Sequence, residues 1–151
     1  MIFSVFSDEH FMKEALRQAE AARLAGEVPV GAVVVCGNRI VARAHNLTET
    51  LNDVTAHAEM LAITAAANHL GGKYLEDCTL YVTLEPCLMC AGALHHAHIG
   101  KVVWGADDPK RGFSLLQKPV LHPKTTIQKG IEAASCEKIL KDFFIERRKE
   151  G

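Results

Sequence analysis

Two short stretches of this chain carry side chains able to grip a metal ion and move protons: His57-Ala58-Glu59 and Pro86-Cys87-Leu88-Met89-Cys90. Either alone says little. An isolated histidine near a helix start is commonly a surface or capping residue, and an isolated Cys-x-x-Cys also serves redox or structural roles. Together they supply one imidazole and two thiolates, donors that suit zinc, with a carboxylate two residues from one of them. Three protein ligands leave a tetrahedral zinc with one position for water, the mark of a catalytic site. Two thiolates neutralise the ion's charge, so this zinc acidifies water less than an all-imidazole site does. A neighbouring base becomes more necessary, and Glu59 is placed to be that base.

Positioning these groups calls for two helix starts. Cys87 and Cys90, at i and i+3 in the first turn after Pro86, project their sulfurs from one face. There the free N–H groups and the helix dipole favour thiolate over thiol. Asp53 or Thr55 is expected to cap a helix over 56–69, stopped by Gly71-Gly72, with His57 and Glu59 in its first turn. If both helices start over the ends of neighbouring strands, the four side chains converge.

Elsewhere, Ser7 caps an expected helix over 8–25 whose apolar stripe includes Phe11, Ala15, Ala19 and Ala22, with Gly26 at its end. Val28–Cys36 turns through Gly37-Asn38 into Arg39–His45 as a hairpin. Further strands are expected at Thr79–Leu84, Lys101–Ala106 and near Thr126–Gln128. A long loop runs from Asp107 to about Lys124, and a helix closes the chain over Glu132–Lys149. The order α-β-β-α-β-α-β-β-α predicts one α/β domain over 1–151, with helices on both faces of a central mixed five-stranded sheet. The length of the loop marks it as functional.

At 151 residues, with 48% hydrophobic and 23% charged side chains, the chain can bury its own core. No stretch reaches the 18 or so apolar residues of a membrane span. The opening Met1-Ile2-Phe3-Ser4-Val5-Phe6 lacks a basic flank and does not read as a secretory leader. Five cysteines in this context read as reduced thiols of a cytoplasmic protein. Cys36, Cys78 and Cys136 are expected to pack as small apolar residues, although any one of them could complete a structural zinc knuckle instead. His95, His96 and His98 read as capping or surface residues rather than a second metal cluster. A net charge of −1 gives no global basic footprint for nucleic acid, so any such binding must use a local patch.

Over nearly its whole length the chain resembles the bacterial tRNA-specific adenosine deaminases of the cytidine-deaminase-like superfamily. The resemblance is carried by Gly26-Glu27-Val28-Pro29-Val30-Gly31-Ala32-Val33, by Thr55-Ala56-His57-Ala58-Glu59 and by the run from Thr79 through Pro86-Cys87-Leu88-Met89-Cys90 to Ala93. Asn46, Asp142-Phe143-Phe144 and Arg147-Arg148 extend it. It implies one zinc ion per subunit on His57, Cys87 and Cys90, with Glu59 as proton shuttle. It further implies that Asn46 bonds the flipped nucleoside, that Val30 and Ala58 line its pocket, and that the protein is a homodimer. The implied reaction is hydrolytic deamination of the wobble adenosine of a tRNA anticodon to inosine.

An anticodon loop presents its bases without the cost of opening a duplex. Asp108 either accepts a 2′-OH, which favours RNA over DNA, or simply closes a turn with Asp107 and Pro109. Phe144, Arg147 and Arg148 are candidate RNA contacts. Many relatives carry an Asn-His-Arg-like stretch before the last strand, where this chain reads Leu121-His122-Pro123-Lys124-Thr125-Thr126-Ile127. That departure and the near-neutral charge keep a second reading open, a deaminase of free guanine, cytosine or a nucleoside. A zinc-bearing module without catalysis is a third.

Overall fold

The first helix, α1 (Asp8–Leu24), begins where Ser7 accepts a hydrogen bond from the His10 amide at 3.1 Å, and Gly26 follows its end with φ of 77°. Strand β1 (Gly31–Cys36) turns into β2 (Arg39–His45) through Gly37 and Asn38, both at positive φ as a tight hairpin requires. Then come α2 (Ala58–Leu70), β3 (Cys78–Leu84), α3 (Leu88–His96), β4 (Lys101–Ala106), β5 (Thr126–Lys129) and α4 (Ala133–Glu150). The computed structural model describes residues 6–150; the apolar opening at 1–5 lies outside the described residues.

The five strands form one mixed sheet in the order β2-β1-β3-β4-β5. β1 is antiparallel to β2 and β3, whereas β3, β4 and β5 run parallel. Alternate residues of β1 serve the two faces. Val33 and Val35 pack with Phe11, Met12 and Ala15 of α1 and with Cys136 of α4. Ala32 and Val34 pack with Ala62 and Ala66 of α2 and Leu94 of α3. The result is the expected three-layer α/β architecture. Gly31 lets α1 approach closely, because a Cβ there would lie 2.0 Å from the Ala15 carbonyl oxygen. Among the described residues no helix is long and apolar enough to cross a membrane.

The differences from expectation concern element ends. β1 starts at Gly31 rather than Val28. Neither Asp53 nor Thr55 caps α2: His57 occupies the cap position without a side-chain cap bond, and Asp53 Oδ1 instead accepts the Thr55 amide and hydroxyl in a local turn. Pro86 precedes α3 rather than opening it, and Cys87 is the cap residue. The long loop contains a short 3-10 turn at Phe113–Leu116, closed by Gln117 at positive φ. Cys78 and Cys136 are buried and Cys36 is half-buried, opposite Cys78 in the sheet.

Candidate active site

The N-termini of α2 and α3 bring their cap residues, His57 and Cys87, together. His57 Nδ1 lies 3.7 Å from Cys87 Sγ and 3.5 Å from Cys90 Sγ. Tetrahedral zinc with bonds of about 2.3 Å to sulfur and about 2.05 Å to nitrogen separates the two donors by about 3.6 Å. The donor set therefore fits that ion in type and in spacing. Among the described residues, His57, Cys87 and Cys90 are the group of three whose donor atoms all lie within 4.8 Å of one another. His95, His96 and His98 do not form a comparable group; the His98 ring instead stacks on Tyr74 at 4.6 Å and lies tilted against His122 at 4.4 Å.

Electrostatics at the site follow from this crowding. Hydrogen bonding from Cys90, helped by His57, pulls the Cys87 thiol down to about 4, against the effect of burial. Cys90 is pushed up, first by its Cys87 neighbour and then by burial. The pair thus favours one thiolate, and a zinc ion held by both sulfurs would displace the remaining proton. The bond to Cys87 raises the His57 imidazole, while burial and the positive charge of Arg111 oppose it. Glu59, only 4% exposed, has its carboxyl pushed up to about 7 by burial and lies against the Cys90 thiol. A carboxyl poised there both accepts and donates protons near neutrality.

Asn46 stands at the end of β2 and does work the sequence alone does not reveal. Its Oδ1 accepts the Ala58 amide at 2.9 Å and its Nδ2 donates to the Val28 carbonyl at 3.1 Å. The side chain thereby closes the start of α2 from outside the helix. Val30 and Ala58 are buried beside it. Asp108 closes a turn, its Oδ1 accepting the Lys110 and Arg111 amides at 3.0 Å each.

The C-terminal candidates lie apart from the metal ligands in sequence and differ in exposure. Phe143 is buried and Phe144 is exposed. Arg147 covers the Phe143 ring and donates to the Gly26 carbonyl, and Arg148 donates to Phe144 within its own helix.

Two buried carboxylates escaped the sequence reading of single residues, Glu27 and Glu85. Glu27 accepts the Glu49 and Thr50 amides and the Thr50 hydroxyl, at 3.0, 2.7 and 2.6 Å, anchoring the loop between Asn46 and His57. The available signal was an acidic residue inside an otherwise apolar run.

Comparison with known proteins decides among the chemistries this arrangement permits. The chain matches the MafB19-like deaminase family over residues 6–148. It is 49% identical to the tRNA-specific adenosine deaminase of Bacillus subtilis, over 95% of this chain and 92% of that protein. It belongs to the tRNA-specific adenosine deaminase family. A solved structure from a study of A-to-I editing by tRNA:A34 deaminases superposes with a TM-score of 0.81 at 43% identity, covering 87% of this chain and 99% of that one. A guanine deaminase from Bacillus subtilis also superposes, at a TM-score of 0.66 and 37% identity over 75% of this chain and 78% of that one.

Proposed function

We propose that this chain deaminates the wobble adenosine of a tRNA anticodon to inosine by hydrolysis, using one zinc ion per subunit. The observation that carries this reading is the convergence of one imidazole nitrogen and two sulfurs at zinc-ligand spacing beside the buried Glu59 carboxyl. When bound by His57, Cys87 and Cys90, zinc supplies Lewis acidity to a water at its remaining position. Glu59 would take one proton from that water and deliver it to the ring nitrogen, then carry a second proton, from the hydroxyl added to the ring carbon, to the departing ammonia. In the metal-free site burial raises its carboxyl above the usual carboxylate range, and a less acidic carboxyl suits this double duty. Asn46 keeps one Nδ2 hydrogen and one Oδ1 lone pair for the nucleoside after its two internal bonds. Val30 and Ala58 form the apolar wall beside it. Asp108 keeps its second carboxylate oxygen for a 2′-OH, which selects RNA over DNA. Phe144 and Arg148 are exposed and suit stacking and phosphate contact, with Arg147 supporting them.

A homodimer accords with the exposed Leu88, Leu115 and Leu116, in the two segments that meet at the metal turn. The five free cysteines suit a reducing, cytoplasmic setting. A second reading, a guanine deaminase, draws on the Bacillus subtilis structure, but that match is looser and covers less of the chain than the tRNA deaminase match.

Incubating the zinc-loaded chain with an anticodon stem-loop, free guanine, cytosine and adenosine separates the two readings. Inosine in the stem-loop with no ammonia from the free compounds is expected. Ammonia from guanine with untouched RNA selects the guanine deaminase instead.

A further inference from the structure

Glu85 is the last residue before the Pro86–Cys90 stretch and is 3% exposed. Among the described residues its carboxylate pairs with no cation. Both oxygens instead hold the loop that follows β4. Oε1 accepts the Asp108 amide at 3.1 Å, and Oε2 accepts the Ser114 amide at 3.1 Å and its hydroxyl at 2.5 Å. Between these anchors the Phe113 amide donates to the Pro86 carbonyl at 3.0 Å, and Gly112 forms an isolated antiparallel bridge with Cys87. Gly112 fits because it lacks a side chain: a Cβ there would sit 2.3 Å from Glu85 Oε1. Residues 108–114 are therefore stitched along the turn that presents Cys87.

The stitched segment displays a small cationic rim. Asp108 Oδ1 caps the Lys110 and Arg111 amides, and both side chains are left exposed. Arg111 immediately precedes the residue that pairs with Cys87. In a chain of net charge −1, attraction for a polyanion has to be local, and these two cations adjoin the reacting centre.

We propose that Glu85 is a positioning residue for RNA binding: by clamping residues 108–114 to the Pro86-Cys87 turn, it holds Lys110 and Arg111 where they contact a backbone phosphate beside the reacting nucleotide. The inference rests on the tRNA reading above and adds the loop, its cations and the carboxylate that fixes them. Glutamine at this position offers one acceptor where two anchors need one each, and its amide hydrogens face other donors.

The test compares the zinc-loaded full chain with Glu85→Gln, Ser114→Ala, Arg111→Ala and the double variant Glu85→Gln/Arg111→Ala. Each is scored for zinc content and for kcat and KM on an anticodon stem-loop across a salt series. Arg111→Ala is expected to raise KM about tenfold with kcat held within about threefold, and to lower the log–log salt slope by about one. Glu85→Gln raises KM at least as much, and Ser114→Ala shifts it in the same direction by less. The double variant falls within about twofold of Glu85→Gln alone, because both changes act on one contact.

Multiplying effects in the double variant, or an unmoved KM and salt slope in Arg111→Ala, would overturn the proposal. If Glu85→Gln loses zinc, Ser114→Ala replaces it in the cycle, and the double variant Ser114→Ala/Arg111→Ala is then expected within about twofold of Arg111→Ala alone. Wild-type protein that makes no inosine removes the tRNA reading and this inference with it; an active wild type with an unmoved Arg111→Ala removes the inference alone.

Discussion

Glu59 lies two residues from His57, a proposed zinc ligand, yet in the metal-free site burial rather than that neighbour chiefly raises its carboxyl. Desolvation disfavours the carboxylate and moves the group toward neutral pH, where one residue can serve as base and then as acid. Glu59→Gln preserves size and burial while removing the titrating proton. It is expected to retain stoichiometric zinc and a wild-type fold, and to lose at least about 10²–10⁴-fold in kcat. Metal analysis and single-turnover inosine formation on the same preparation check both halves. Turnover within tenfold of wild type would assign proton transfer to another group.

The starts of α2 and α3 bring the candidate ligands together, and the start of α2 is held by a bond that crosses between elements. α2 takes its closing acceptor from Asn46 at the end of β2, not from a residue just before the helix. Ser7 at α1 is the opposite case, a local cap read correctly from the sequence because its partner is three residues away. Asn46→Ala leaves the Ala58 amide and the Val28 carbonyl without these partners in a buried setting. A loss of about 1–3 kcal/mol in urea unfolding of the zinc-free chain is expected, with Asn46→Asp retaining part of it. A change below about 0.5 kcal/mol would remove the capping role and leave Asn46 to the substrate alone.

Across the whole molecule, α4 returns to the end of α1, and there the two C-terminal arginines part company. Arg147 covers the Phe143 ring and donates to the Gly26 carbonyl, whereas Arg148, among the described residues, bonds only within its own helix. Arg147→Ala is expected to lower Tm by about 2–4 °C, the usual consequence of losing one stabilising bond in a chain this size. Arg148→Ala is expected to leave Tm in place and to lower the salt slope of stem-loop binding by about one. Differential scanning calorimetry and anisotropy titrations separate the two. An unchanged slope in Arg148→Ala returns that residue to a solvated helix face.

The donor types, their i and i+3 spacing, the strand periodicity and the glycine stops were legible in the residues themselves, because each depends on neighbours within a few positions. They predicted the α/β layers and the His57, Cys87, Cys90 and Glu59 set. The partners of Asn46, the anchoring of separate loops by Glu27 and Glu85, and the tie from Arg147 to Gly26 join residues 12 to 121 positions apart. A hydrogen bond closes over such distances only after strands and helices have packed, so the tertiary structure alone decided which polar groups hold the site and which remain free to meet a substrate.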